Sequence, residues 1–365
     1  MKNNKKMVRK VLIRPFSYVI DSVATEAIKI IALLLVQVLL LLISKSYSSL
    51  LIIISAILGS LGADFISYKF FGNERDTDFP FITSIAHGMI TGFLIPSVYP
   101  PVTVFFVTFF TMLVVKHFFG GFSYAWVNPS VFAVVILWII GASFFPSYLV
   151  NMDLLAMRNP SQLLIENGTI VQYSFDQTIT DVLNSGIFSL FKVSIPNGYV
   201  SLFWDNQSII PAFRYNFVTL LSSIVLFSNN LVKCVIPGFF LIVYLLLVRL
   251  ASSFFCNGIV FQGDILLALL TGGTLFFSVF ILSWYGTIPI SIKGKIIYGV
   301  FAGITAFFIA GPGTSPCGLI FTVLCTNIFS IVIQQWENRI DRISLKKKLA
   351  VYRKIEAEEK ENLFV

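Results

Sequence analysis

The sequence has little charge for its length. Only 12% of its 365 residues are charged, whereas 56% are hydrophobic, and the mean hydropathy is +0.86. A soluble domain of this size needs far more charge to cover its surface. The composition therefore argues against a soluble enzyme and favours a membrane protein.

Motifs for metal and nucleotide chemistry are also lacking. The four cysteines form no CxxC pair and lie in or beside apolar segments, which is typical of packed thiols. Neither a P-loop nor an HExxH sequence occurs. The sequence therefore predicts no metal site and identifies no catalytic residue.

The net charge of +8 comes mainly from the two ends of the chain. Basic clusters that flank membrane spans are typical of cytoplasmic anchors rather than of a nucleic-acid-binding face. We therefore expect a lipid bilayer as partner and no nucleic acid. The clusters are Lys2, Lys5, Lys6, Arg9, Lys10 and Arg14 at the start, and Arg339, Arg342, Lys346, Lys347, Lys348, Arg353 and Lys354 at the end.

Apolar runs recur along nearly the whole chain. Because a helix needs about 20 apolar residues to cross the hydrocarbon core, we predict an all-α, polytopic membrane protein with about ten transmembrane helices. Three of the predicted spans, 83–97, 215–229 and 296–311, are short or interrupted by Gly and Pro, which indicates broken helices around an interior site. The ten spans are 27–44, 49–68, 83–97, 101–116, 129–147, 215–229, 232–250, 264–283, 296–311 and 317–335.

The distribution of basic residues predicts the orientation. With the N-terminus inside, most lysines between the spans fall on the cytoplasmic side and the longest connection lies outside. We therefore expect a protein of the cytoplasmic (inner) membrane with both ends in the cytoplasm. The expected divisions are a basic N-terminus (1–26), a first transmembrane repeat (27–150), an extracytoplasmic loop (151–214), a second transmembrane repeat (215–335) and a charged tail (336–365).

Short sequence blocks recur in the same order in the two halves. Five spans in each half would give the copies opposite orientations, and such inverted repeats commonly enclose a midplane site. Chance is an alternative, since Gly and Pro punctuate many membrane proteins. The blocks are Ile90-Thr91-Gly92, Lys116 to Gly120 and Asn128-Pro129-Ser130, against Thr271-Gly272-Gly273, Lys295 to Gly299 and Ser315-Pro316-Cys317.

Two of these blocks carry a family resemblance. Lys116 to Gly121 followed by Asn128-Pro129, and the Lys-Gly-Lys-x-x-Tyr-Gly block at 293–299, resemble the NqrB/RnfD family over about residues 20 to 335. Members of this family are membrane subunits of the sodium-pumping NADH:quinone oxidoreductase and of the Rnf electron-transport complex. The resemblance implies ten helices in two inverted repeats, and other membrane subunits as partners.

The resemblance also implies FMN, which the family attaches to a threonine of a Ser/Thr-Gly-Ala-Thr motif in the outer loop. This sequence has no such motif. Thr180 falls about where the linked threonine is expected, but Thr178 and Ile179 replace the glycine and alanine. Covalent attachment at Thr180 and an ordinary threonine turn are both open. The family's Ala-Thr-Asp-Pro is replaced by Leu282 to Tyr285, where we expect Trp284 and Tyr285 to be interfacial anchors.

Glycines and capping residues mark the candidate cofactor-binding positions inside the membrane. Glycines let a ligand or another helix approach the backbone, and a buried helix start offers N–H groups to an anionic or carbonyl-bearing ligand. Alternatively, the cap satisfies only its own backbone. Lys116 could bind a phosphate or carboxylate, or extend to the interface. The candidates are Gly92, Lys116, Gly120, Gly121, Asn128, Gly272 and Gly273, together with Thr178 and Thr180.

Two ionisable residues are candidates for an ion path. Asp64 lies within the second span and His87 within the interrupted third span, and a buried carboxylate is functional by default. Alternatively, Asp64 pairs structurally with Lys69 or Lys116, and His87 is a hydrogen-bonded packing residue.

Three functions compete. We favour a membrane subunit of an ion-coupled electron-transport complex that carries FMN. The alternatives are a small-solute transporter or channel on the same fold, and a structural subunit without a cofactor. Membership of an oxidoreductase would make the chain part of an enzyme, although no residue of its own is identified as catalytic.

Overall fold

The computed structural model describes residues 23–71, 80–118, 126–146, 171–229, 231–252, 263–284, 286–312 and 315–363, and every regular element in these ranges is helical. The first half contains α1 (Val23–Ile43), α2 (Tyr47–Phe71), α3 (Pro80–Leu94), α4 (Pro101–Thr111, continued by the π-helical turn Met112–Phe118) and α5 (Pro129–Ile140). Three short helices follow: α6 (Asp176–Ser185), α7 (Ile187–Leu190) and α8 (Tyr199–Trp204). The second half contains α9 (Asn216–Ser228), α10 (Val235–Ala251), α11 (Ile265–Thr271), α12 (Thr274–Phe276, continued by π-helical Phe277–Ile281), α13 (Ile292–Ala310) and α14 (Gly318–Leu363).

Several of these helices are suited to a bilayer. Five are long and apolar enough to cross a membrane, namely α1, α2, α4 with its π-helical turn, α13 and α14. Four shorter apolar helices, α3, α5, α9 and α10, accompany them. The prediction of an all-α membrane protein is therefore confirmed over the described residues.

Glycines bring the helices of the first half close together. A Cβ atom on Gly92 of α3 would lie 2.6 Å from the Cα of Ile53 in α2, and one on Gly59 of α2 would lie 2.5 Å from the carbonyl oxygen of Phe105 in α4. Such contacts allow backbones to approach closely where no hydrophobic effect drives helices together. Consequently α2 packs between α3 and α4, and polar side chains on these three helices can meet.

The breaks in the helices differ from the prediction. The span expected to be interrupted at 296–311 is the continuous helix α13, whereas the span predicted at 264–283 breaks between α11 and α12 at Gly273. Gly273 has φ +66°, and a Cβ there would lie 2.1 Å from Cδ1 of Phe213. Only glycine tolerates both conditions, so the break is fixed by backbone conformation and by packing.

One side of the helical assembly is defined by the connection before α9. Arg214 Nη1 donates to Ser46 Oγ at 2.7 Å and Tyr215 Oη donates to Ser44 Oγ at 3.1 Å, both in the α1–α2 turn. In the α3–α4 turn, Ser97 N donates to the carbonyl oxygen of Ile209 at 3.0 Å. We call this side the loop side, comprising residues 44–46, 95–100 and 171–215.

Candidate functional site

A buried ion pair joins α2 to the π-helical turn after α4. Lys116 Nζ lies 3.0 Å from Asp64 Oδ1 and 3.3 Å from Oδ2, and each residue is 3% exposed. The sequence left Lys69 and Lys116 as alternative partners, and the structure selects Lys116, since Lys69 is exposed near the end of α2. The ammonium of Lys116 therefore points into the protein rather than into solvent.

Neighbouring polar side chains complete this cluster. From α3, Thr83 accepts a hydrogen bond from Lys116 Nζ at 3.2 Å, and Ser84 accepts another. His117 Nε2 lies 2.6 Å from Asp64 Oδ1. We call these five residues the Asp64 cluster. Because every one of them is buried, the interactions act in a low-dielectric environment where they are strong and where losing a partner is costly.

The π-helical turn explains how two adjacent residues reach one carboxylate. Consecutive side chains on an α-helix point in clearly different directions. A π-helix has more residues per turn because its hydrogen bonds span five residues, so consecutive side chains diverge less. Lys116 and His117 both lie on the turn Met112–Phe118, and both contact Asp64.

His87 lies one helical turn along α3 from Thr83 and belongs to a second group. Its Nδ1 lies 2.9 Å from Ser130 Oγ of α5, and Ser130 Oγ donates to the carbonyl oxygen of His87 at 3.1 Å. A serine hydroxyl has one hydrogen, so this geometry assigns the donor role in the first contact to His87 Nδ1. Thr91 Oγ1 donates to the same carbonyl oxygen.

Trp284 corrects a prediction. It was expected at the membrane interface, but it is 4% exposed and its ring centroid lies 4.7 Å from that of His87 at an interplanar angle of 54°. The second half of the chain therefore supplies an aromatic cover for a polar group of the first half. Tyr285 lies outside the described residues.

Asn128 and Pro129 begin α5 as the sequence predicts. Asn128 Oδ1 accepts from the backbone N–H groups of Ser130 at 3.0 Å and Val131 at 3.5 Å. The Asn128 side chain therefore caps the N–H groups of its own helix, which is the alternative to offering these N–H groups to a ligand. Asn128 Nδ2 is buried and has no hydrogen-bond partner among the described residues.

Two of the glycines predicted to face a ligand pack against other parts of the protein. Gly92 packs on α2 and Gly273 on Phe213, while Gly272 ends α11. Phe93, next to Gly92, packs on Phe276 of α12 with ring centroids 5.9 Å apart. Gly120 and Gly121 lie outside the described residues.

The two threonines of the outer connection differ in exposure. Both lie on α6, but Thr178 is exposed, whereas Thr180 is 2% exposed and its Oγ1 has no hydrogen-bond partner among the described residues. α6 is held by Asp176, whose carboxylate accepts from the backbone N–H groups of Gly198 at 2.7 Å and Ser201 at 3.2 Å. The surroundings of Thr180 therefore do not fit an FMN phosphate esterified to Oγ1.

The predicted cofactor-binding and ion-path residues thus fall into three places. Thr178 and Thr180 lie on the loop side, while Gly92 and Gly273 lie in packing contacts near it and Gly272 ends α11. Asp64, His87, Lys116 and Asn128 lie deeper in the first half. Within the described ranges, no group of three or more His, Cys, Asp or Glu side chains could hold a metal ion.

An ion pair anchors the loop side. Arg214 Nε and Nη2 donate to the two oxygens of Asp205 at 3.0 and 2.6 Å. Burial lowers the pKa of Arg214, but the hydrogen bonds and charge of Asp205 outweigh it, so the pKa lies above its ordinary value. The two-pronged geometry and the bond to Ser46 fix the connection to the α1–α2 turn.

Sequence reasoning missed the partners that complete the polar groups. Thr83, Ser84, Ser130 and His117 were not identified as site residues. A polar stripe on α3 was the available signal, because Thr83, His87 and Thr91 recur at intervals of four residues. His117 had no such signal, since its position depends on the π-helical turn.

Comparisons with known proteins identify the family of this sequence. A sequence model of the NQR2, RnfD, RnfE family matches residues 11–341. The RnfD subunit of the ion-translocating oxidoreductase complex of Vibrio cholerae serotype O1 (strain M66-2) is 25% identical over 264 residues, which cover 66% of this chain and 73% of that protein. The protein of the same name from Vibrio vulnificus (strain YJ016) is 25% identical over 267 residues, with 66% and 74% covered. That of Colwellia psychrerythraea (strain 34H) is 24% identical over 281 residues, with 70% and 75% covered.

Proposed function

The chain belongs to the NQR2, RnfD, RnfE family, and from this premise we propose that it is a membrane subunit of an Rnf- or Nqr-type ion-translocating oxidoreductase complex. The observation that carries the proposal is the extent of the family match, which runs from residue 11 to residue 341. The match includes both halves and the connection between them. The names of the relatives, which describe them as subunits of an ion-translocating oxidoreductase complex, point the same way.

We further propose ten membrane crossings in two inverted halves. The contacts on the loop side support this topology, because the α1–α2 turn and the α3–α4 turn both meet the connection before α9. α5 ends on this side as well, since Tyr99 Oη donates to the carbonyl oxygen of Leu137 at 2.8 Å. Among the described residues, counting α11 and α12 as one crossing, α1 to α5 precede the connection and five further helices follow it. The positive-inside rule supports an orientation with the loop side outside the inner membrane and both ends in the cytoplasm.

The Asp64 cluster and His87 bring ionisable side chains together inside the first half of the chain. A carboxylate, an ammonium group and an imidazole inside a membrane protein are expensive to bury and typically mark ion or proton pathways. Thr83 of α3 accepts a hydrogen bond from Lys116, and His87, one helical turn further along α3, contacts Ser130 of α5. The ionisable side chains of Asp64, Lys116 and His87 are therefore linked through α3. We propose that this region is part of the ion path.

The family resemblance implies FMN attached covalently to a threonine, but for this chain we do not propose covalent attachment at Thr180. The burial of Thr180 argues against a phosphoester at its hydroxyl, and the helix contacts of Gly92 and Gly273 leave no space beside their backbone for a ring system. We propose that any flavin of this subunit is held without a covalent bond to Thr180. Flavin that separates from the denatured polypeptide would support this, whereas flavin fluorescence that stays on residues 176–185 after proteolysis would contradict it.

Purification from the native membrane tests membership of the complex. The full chain with an affinity tag should co-purify, in mild detergent, with membrane proteins whose sequences match other subunits of Rnf- or Nqr-type complexes. An equally abundant, unrelated multi-span protein with the same tag is the control. Purification of the chain without any such subunit, at several detergent concentrations, would contradict the proposal and favour a transporter or channel on the same fold.

A further inference from the structure

Lys116 Nζ is enclosed by oxygen atoms from two helices. Asp64 contributes Oδ1 at 3.0 Å and Oδ2 at 3.3 Å, Thr83 contributes Oγ1 at 3.2 Å, and Ser84 contributes Oγ. A carboxylate and two hydroxyls are hard oxygen ligands of the type that metal cations without d-electron preferences bind. The position of the ammonium nitrogen is therefore also a position that a small inorganic cation could occupy.

We propose that Asp64, Thr83 and Ser84 form a binding site for one alkali-metal cation, and that the Lys116 ammonium is a tethered competitor for this site. The inference goes beyond membership of the complex and rests on the proposed function only for its physiological use. It assigns to Lys116 a role other than binding the phosphate or carboxylate of a ligand.

The charges of the cluster make occupancy exclusive. One carboxylate balances one ammonium, so the observed arrangement is neutral when His117 is neutral. A metal cation added beside the ammonium would leave a buried net positive charge, which the low-dielectric interior disfavours. Binding of the metal cation therefore requires Lys116 to lose its proton or to move its ammonium group away.

The single carboxylate also limits the class of ion. A divalent cation would keep one uncompensated charge after displacing the ammonium, whereas a monovalent cation replaces the ammonium charge for charge. His117 Nε2, at 2.6 Å from Asp64 Oδ1, holds the carboxylate in place during the exchange. The lysine then lets the site release its cation without leaving the carboxylate unpaired.

Thermal unfolding of a lysine variant tests the site directly. The purified full chain with Lys116→Met should retain the oxygens and lose the competitor. Its melting temperature should rise by about 2 °C or more in NaCl or KCl relative to choline chloride at equal ionic strength. The wild type and Lys69→Met should respond equally to all three salts. The double variant Asp64→Asn/Lys116→Met should lose the response.

The outcomes divide cleanly. A response to NaCl or KCl that depends on Asp64 supports the site, and the more effective salt identifies the preferred ion. If folded Lys116→Met shows no such response, or if the response persists in the double variant, the proposal is overturned. Neither result bears on membership of the complex, which is tested separately by co-purification with partner subunits.

A measurement on the wild type decides the matter if Lys116→Met does not fold. Competition is reciprocal, so a cation that displaces the ammonium makes Lys116 more reactive. Acylation of Lys116 by a membrane-permeant amine reagent, quantified by mass spectrometry, should be about twofold faster or more in NaCl or KCl than in choline chloride. Equal rates in all three salts would overturn the proposal.

Discussion

Lys116 Nζ lies 3.0 Å from Asp64 Oδ1 inside the protein, and this ion pair ties the turn after α4 to α2. The contact spans 52 residues of sequence, and both partners lie in segments that the apolar pattern alone marks as lipid-embedded. The pair therefore turns two charges that are costly singly into one neutral unit.

Removing either partner should destabilise the protein strongly. Asp64→Asn leaves the Lys116 ammonium without a counter-charge. Lys116→Met leaves the Asp64 carboxylate without a counter-charge, provided that no alkali cation is present to replace the ammonium. Each should lower the free energy of unfolding by about 3–5 kcal/mol. The double variant should lose less stability than the sum of the two single variants, with a coupling energy of about 1–3 kcal/mol. The measurement is denaturant unfolding in detergent with choline as the only salt cation.

The control is Lys69→Met, at an exposed lysine, which should change stability by no more than about 0.5 kcal/mol. Additive effects of the two single changes would contradict the pairing.

Gly92 should tolerate no added methyl group. Gly92→Ala places a Cβ 2.6 Å from the Cα of Ile53, so α3 must move away from α2, at a cost of about 1–3 kcal/mol. Gly238→Ala in α10 is the matched control, because nothing lies within 4 Å of its added Cβ. Alanine there should stabilise the helix by about 0.5–1 kcal/mol. Melting temperatures of the two variants should therefore move in opposite directions, and a shift of both in the same direction would contradict the packing.

Tyr99 should make stability depend on alkaline pH. Burial raises the pKa of Tyr99, and its hydroxyl donates to the carbonyl oxygen of Leu137. Because the folded pKa exceeds that of the unfolded chain, the contribution is fully present below about pH 10 and is lost as pH rises through the folded pKa. Tyr99→Phe should be less stable at neutral pH by about 0.5–1.5 kcal/mol, since the Leu137 carbonyl oxygen loses one of its two donors and keeps the backbone N–H of Gly141. The difference from wild type should shrink above pH 10. A difference that is constant between pH 8 and pH 11 would refute this role for the tyrosine.

Thr180 should be replaceable by valine. Its buried hydroxyl has no hydrogen-bond partner among the described residues, so Thr180→Val should leave stability unchanged or raise it by up to about 1–3 kcal/mol. Thr178→Val, at an exposed position of the same helix, is the control and should be neutral. Flavin fluorescence of the denatured chain should be the same in all three proteins. Fluorescence present in wild type and absent only in Thr180→Val would instead identify Thr180 as the attachment site.

The sequence predicted the elements better than it predicted their partners. Asn128-Pro129 correctly marked the start of α5, because capping is decided by residues within one turn. The break at Gly273 was misplaced to the next span, since glycines that break a helix and glycines that pack inside one look alike in sequence. Trp284 was misplaced at the interface because only the contact with His87 shows that it faces inward.

Composition and the spacing of apolar runs by themselves determined that this chain is helical and membrane-embedded, because a bilayer requires each spanning segment to satisfy its own backbone. The blocks around Lys116 and Lys295 determined its family. Only the tertiary structure decided that Asp64 pairs with Lys116, that hydroxyls of α3 share the ammonium, and that Thr180 is buried. Those outcomes depend on how closely glycines let helices approach and on a π-helical turn, which are properties of packing rather than of any local run of residues.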